Sequence, residues 1–179
     1  MRLFIAAPLP EEVREKVSGL YQPMDGLRWQ PQSQFHITLK FLGKTDREQL
    51  PELIRRLNNT SYSAFQITIS GFGIFPEKGR PKILWIGIAS PGLLKDLQKK
   101  IEQQCVEMGF KAEDRPFVPH ITLARIKGTS KRDVMSFVNQ HKKVRFPEVP
   151  VNKFVLYESK LHPDGAVHEK VEEFPLSAD

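Results

Sequence analysis

The sequence has a single cysteine, Cys105, so it can form neither an intramolecular disulfide nor a multi-cysteine metal site. No apolar stretch approaches the 18 or so residues that a membrane-spanning helix needs. The apolar run near the start, Leu3 to Ala7, stops at Pro8, and Glu11 and Glu12 follow at once. That is too short for the hydrophobic segment of a signal peptide, so a cytoplasmic protein with no membrane partner is expected. Also missing are an H-E-x-x-H helix, a phosphate-binding G-x-x-x-x-G-K segment and any acidic cluster beside the histidines, so no metal and no cofactor are expected. Segments of low complexity are absent, and residues 1–179 read as one domain. A monomer is expected.

Basic residues are in surplus, 27 Lys and Arg against 21 Asp and Glu, for a net charge of +6. Such a surplus favours polyanionic partners, nucleic acid first among them. Strand patterns fall at Leu3–Ala7, Phe35–Leu42, Phe65–Ile69, Ile83–Ala89, Phe117–Ile126 and in two stretches after Val149. Helix patterns begin at Pro10, after Thr45, at Ser90-Pro91 as N-cap and N1, and at Ser130. In the first, Val13, Val17, Leu20 and Tyr21 are expected to pack inward. Thr45 to Glu48 matches a capping box, and Pro51 is expected to restart the helix behind it. Several strands follow one another without a helix, so the fold class expected is α+β rather than a doubly wound sheet.

One feature stands out from this background. His-Ile-Thr-Leu occurs twice, at 36–39 and 120–123. A glycine, a Ser/Thr cap and a helix follow each copy, which points to a duplicated strand-loop-helix unit and two similar lobes. On a strand, residues two apart share a face, so each copy sets an imidazole beside a hydroxyl while Ile and Leu turn to the core. If the lobes face each other, His36, Thr38, His120 and Thr122 converge. Near pH 7 one imidazole can accept a proton while a second donates one. Hydroxyls can hold the oxygens of a phosphoryl group between them. A lone strand histidine or threonine is ordinarily structural, but that does not explain both pairs occurring together. His141, His162 and His168 lack such company and are expected to be structural.

His36-Ile-Thr-Leu-Lys-Phe-Leu-Gly43 and Pro116-Phe-Val-Pro-His120-Ile-Thr-Leu-Ala-Arg125 resemble the two signature segments of the 2H phosphoesterase superfamily, in particular its RNA 2′,3′-cyclic phosphodiesterases, the 2′-5′ RNA ligase family. Arg2-Leu-Phe-Ile-Ala6, Leu27-Arg-Trp29, Ile83-Leu-Trp-Ile-Gly87 and Leu156-Tyr-Glu-Ser159 extend the resemblance along nearly the whole chain. It implies a bilobal fold of two pseudo-symmetric lobes, each with an antiparallel β-sheet and outer helices, and a groove between the sheets. It implies metal-independent hydrolysis of RNA 2′,3′-cyclic phosphate ends, tRNA-derived ends among them, to 2′-phosphomonoesters, with 2′-5′ ligation as a side activity. His36 would be the proton donor and His120 the acceptor, Thr38 and Thr122 would bind phosphate, and Arg125 would reach the substrate.

Strict alternation from His120 puts Arg125 on the wrong face, so a bulge or strand end must turn it back. The same alternation places Lys40 on the His36 face, as a phosphate contact or a solvated lysine. His168 stands where relatives often carry an aromatic residue, and it is expected to shape a substrate wall or local packing. Arg28, Lys78 and Arg80 are candidates to track an RNA backbone; Trp29 and Phe72 are expected in the core, with base stacking as their other role. The rival readings are a non-catalytic RNA-end or nucleotide-binding module, and the same chemistry on small cyclic nucleotides or ADP-ribose cyclic phosphate.

Overall fold

The computed structural model describes residues 1–178, and within them the chain passes twice through the same series of elements. The first pass is β1 (Arg2–Pro8), α1 (Glu11–Ser18), β2 (Leu27–Trp29), β3 (His36–Lys44), α2 (Leu50–Asn58) and β4 (Phe65–Phe75). The second is β5 (Ile83–Ala89), α3 (Gly92–Glu107), β6 (His120–Ile126), α4 (Lys131–His141), a short β7 (Val149–Val151) and β8 (Lys153–His162), after which β9 (Gly165–Pro175) closes a hairpin. The repeat is therefore longer than the strand-loop-helix unit expected, because it includes the strand before the first helix and the strand after the second. Each motif opens the strand between two helices, β3 in one pass and β6 in the other.

The strands form one antiparallel sheet in the order β7-β4-β5-β6-β3-β1-β8-β9, with β2 paired on β6. The fold is α+β and bilobal, as expected, but its two sheets are halves of one ladder. They join where β3 meets β6, with Ile37 opposite Ile121. The last strand of each pass crosses over: β4 pairs with β5 of the second pass, and β8 pairs with β1 of the first.

Helix periodicity explains how one face of the sheet is covered. Val13 and Val17 of α1, Leu53 and Leu57 of α2, Leu94, Leu97, Ile101 and Cys105 of α3, and Val134 and Phe137 of α4 are buried in one core with Ile37, Leu39, Ile121 and Leu123. Burial also pushes the Cys105 thiol up to about 12, which leaves it a small apolar residue in practice.

Several boundaries differ from the sequence reading, each for a local reason. The first helix ends at Ser18 and its chain turns at Gly19, so Leu20 still packs inward while Tyr21 is 60% exposed. The box before α2 is Asp46 with Gln49, one residue later than expected; the Asp46 N–H donates to Gln49 Oε1 at 3.2 Å. Pro51 sits in the first turn of α2, where a missing N–H costs nothing. Ser90 has φ 48°, outside cap geometry, and Pro91 takes the N-cap position of α3. The strand expected from Phe117 starts only at His120, since Pro116 and Pro119 cannot donate to a ladder. The stretch after Val149 divides at Asn152, one part pairing with β4 and the other with β1. β2 was too short to show any periodicity.

Candidate active site

Alternation along β3 and β6 sets His36, Thr38, His120 and Thr122 on the open side of the sheet, while Ile37, Leu39, Ile121 and Leu123 are buried beneath. A groove of about 950 Å³ crosses this side, and those four residues and Arg125 all line it. The convergence expected from the duplicated motif is thus present in the fold.

Arg125 reaches the groove through a bulge. Leu84 pairs with Ala124 and Trp85 with Thr122, so Leu123 is an extra residue in β6. Leu123 and Ala124 both turn inward, the alternation changes phase, and Arg125 emerges on the histidine side. β3 carries the same device: Ile5 pairs with Lys40 and Ala6 with Thr38, leaving Leu39 extra. Its consequence corrects the reading of Lys40, which is neither a phosphate contact nor solvated. The side chain is 2% exposed. Its ammonium lies 2.8 Å from Glu102 Oε2 of α3, an ion pair outside hydrogen-bond angles, and donates a 2.7 Å bond to the Lys111 carbonyl.

The residue that β3 presents in the place of Arg125 is Phe41, 68% exposed and lining the groove. Sequence reasoning missed it because strict alternation assigned Phe41 to the core. Tyr21 lines the groove as well, edge-on to Trp29 at 5.7 Å. Trp29 lines the groove while donating its Nε1–H to the Gln22 carbonyl at 3.0 Å. Phe72 instead packs edge-on against Phe137, at 5.9 Å. Arg28 is a groove residue, whereas Lys78 and Arg80 lie in the turn between β4 and β5. His141 stacks on Phe137 at 4.2 Å, and His162 ends β8 at the hairpin. His168 is a groove residue, 5.4 Å from His36 between ring centres.

The two motif histidines are held differently. His120 Nδ1 lies 2.7 Å from the Val118 carbonyl, which can only accept, so the ring proton sits on Nδ1 and Nε2 keeps its lone pair. His36 Nε2 lies 3.0 Å from Thr38 Oγ1. Burial lowers the pKa of both, against a backbone hydrogen bond that raises each. His36 is pushed down to about 4, first by desolvation, then by repulsion from His168.

A glycine in β4 supports the His120 ring. Trp85 lies 5.8 Å from His120 and Phe75 lies 5.0 Å away, and the Trp85 indole covers Gly73. A Cβ at Gly73 would come 2.1 Å from Trp85 Cζ2. Gly73→Ala is therefore expected to displace the indole and shift its fluorescence, and, on the expectation that His120 is catalytic, to lower kcat about tenfold. An unchanged spectrum and rate would show that the indole does not brace His120.

Among the described residues, no group of three or more His, Cys, Asp or Glu side chains is placed to hold a metal ion, and no helix is long and apolar enough to cross a membrane.

The model of the LigT-like phosphoesterase family matches this chain twice, over residues 7–85 and 86–168, once for each pass. The chain belongs to the LigT-like phosphoesterases. This phosphoesterase is 32% identical to the RNA 2′,3′-cyclic phosphodiesterase of Archaeoglobus fulgidus over 178 residues, 97% of this chain and 99% of that protein. It is also 32% identical to the RNA 2′,3′-cyclic phosphodiesterase of Methanocaldococcus jannaschii, over 97% of this chain and 100% of the other. The crystal structure of TT0787 of Thermus thermophilus matches with a TM-score of 0.84 at 32% identity, covering 100% of both chains. Escherichia coli LigT in complex with 3′-AMP matches at 0.78 with 25% identity, over 98% of this chain and 97% of that one. As a phosphoesterase, the protein is a hydrolase.

Proposed function

We propose that this phosphoesterase hydrolyses RNA 2′,3′-cyclic phosphate ends to 2′-phosphomonoesters without a metal ion. The observation that carries this reading is the pair of imidazole–hydroxyl units, from strands far apart in sequence, lining one groove. A binding module would be better served by arginine or lysine, which stay charged at neutral pH. The relatives named above as RNA 2′,3′-cyclic phosphodiesterases point the same way.

In this reading His120 is the base, since its Nε2 lone pair is free while Nδ1 is fixed by Val118. It takes a proton from water as the water oxygen attacks phosphorus. The P–O3′ bond breaks, and His36 donates its proton to the departing 3′ oxygen. His36 must first be charged, against the burial that discharges it in the open groove. The bound phosphodiester supplies the negative charge that restores its proton affinity. Thr38, Thr122 and Arg125 hold the non-bridging oxygens as charge grows on them. A 5′-hydroxyl replacing water would give a 2′-5′ linkage by the same exchange.

The test is incubation of chelator-treated protein with an RNA ending in a 2′,3′-cyclic phosphate. The product expected is a terminal 2′-phosphate. No turnover, or a terminal 3′-phosphate, would overturn the proposal. Cyclic mononucleotides tested alongside would measure how far the RNA body contributes. Arg125→Ala is expected to raise KM on the order of tenfold, the worth of a charge-assisted phosphate contact. A KM unchanged from the parent would remove Arg125 from the phosphate site.

A further inference from the structure

We propose that His168 is a positioning residue for His36: its imidazole helps set the pH at which His36 takes up the proton that it gives to the departing 3′ oxygen. The inference rests on the function proposed above, and its observations are geometric. His168 reaches the groove from β9, the closing strand, whose register puts it opposite Ser159 of β8. Its ring meets His36 edge-on at 5.4 Å and an interplanar angle of 70°. Phe4 of β1 wedges against both, 5.1 Å from His36 and 4.8 Å from His168. Tyr157 closes the far side, 6.4 Å from His36. The two imidazoles are therefore held at a fixed separation by rings that do not titrate near neutral pH.

Two imidazoles so close cannot both be charged without mutual repulsion. Burial disfavours the charged form of both, and His168 is the less enclosed. When His168 is charged, that charge withholds a proton from His36. The other titratable or charged groups facing the pair are Arg125 on β6, Arg2 on β1, Arg28 on β2, Asp164 in the β8–β9 turn and His120, whose burial favours the neutral ring; Lys170 and Glu173 of β9 act on Tyr157, whose burial favours the neutral phenol. The three arginines add to the repulsion. An anionic phosphodiester entering the groove offsets it. Burial already favours the uncharged His36 in an empty groove, and a charged His168 deepens that, so the charging of His36 depends more strongly on an occupied groove. An aromatic hydrocarbon at this place would pack equally well and would not do this.

The experiment follows the His36 ring protons by NMR across pH in the free protein. In His168→Phe, which keeps the ring contacts, the His36 midpoint is expected to rise by about one pH unit, the scale set by two like charges roughly 5 Å apart in a partly screened site. His168→Gln is expected to move it the same way and serves if the phenylalanine variant does not fold. His168→Lys, which carries a fixed charge, is expected to keep the midpoint low. The high-pH limb of the kcat profile, which reports protonated His36, should follow the midpoint upward in the first two variants. A midpoint unmoved in both the Phe and Gln variants overturns the proposal. So does a lower kcat with both limbs in place, since that is what a purely packing role gives. The NMR arm needs no turnover, so failure of the cyclic-phosphate reading would show separately, as absent hydrolysis with His36 still responding to residue 168.

Discussion

Replacing either motif histidine with alanine is expected to lower kcat by a factor on the order of 10² to 10⁴, the usual worth of a positioned general acid or base. Affinity for a phosphate-ended RNA should change little, because the hydroxyls and Arg125, to which the proposal gives the phosphate, remain in the groove. The two losses should not add. Attack and departure belong to one displacement, so removing both imidazoles should cost about as much as removing the worse one. The pH profiles should divide the roles. His120→Ala should erase the low-pH limb, where the base loses its lone pair, and His36→Ala the high-pH limb, where the acid loses its proton. If His120→Ala keeps the parental rate, the base is elsewhere and the proposed chemistry fails.

Lys40→Met is expected to destabilise the protein by roughly 3 kcal/mol, as breaking one side of a buried ion pair does. The lysine side chain is nearly sealed, and its loss leaves Glu102 facing the core and the Lys111 carbonyl without its donor. Glu102 retains 20% exposure, which lets water soften the penalty and places the figure at the low end of the usual range. Urea denaturation measures it. Pairing Lys40→Met with Glu102→Leu should recover part of the loss, because the double variant buries no unmatched charge. A single variant within about 0.5 kcal/mol of the parent, the range of neutral surface changes, would show that the pair is solvated. Since Lys40 lies two residues beyond Thr38 and ties β3 to α3, a fall in kcat near the denaturation midpoint is expected to track unfolding rather than chemistry.

The motif strands were legible in the sequence because their pattern is local. His36 and Thr38 alternate with Ile37 and Leu39 whatever their neighbours do, and the core side of each helix follows from its own spacing. The bulges were not legible, because an extra residue exists only relative to a partner strand. Leu39 is extra against Ile5 and Ala6, and Leu123 against Leu84 and Trp85, and those partners lie far away in sequence. One phase change at each site was enough to misplace Lys40, hide Phe41 and make Arg125 look as if it faced the wrong way. β2 escaped notice because three residues show no period, and Tyr21 because a helix end is a weak signal. His168 was read as structural, shaping a substrate wall or local packing; it does line the groove, but nothing near it in sequence suggests the imidazole that β9 sets it beside.

The crossing of β4 and β8 between the halves bears on what bounds the groove. Each pass lends a strand to the other lobe, so the chain crosses between lobes that pair along the main ladder only where β3 meets β6. The aperture over phosphorus is thereby bounded by that one short pairing, and the strands that meet there are the two that carry the imidazoles. On the proposed function, selectivity among RNA ends falls to rim side chains such as Phe41, Tyr21 and Arg28, which can vary while β3 and β6 keep His36 and His120 in place.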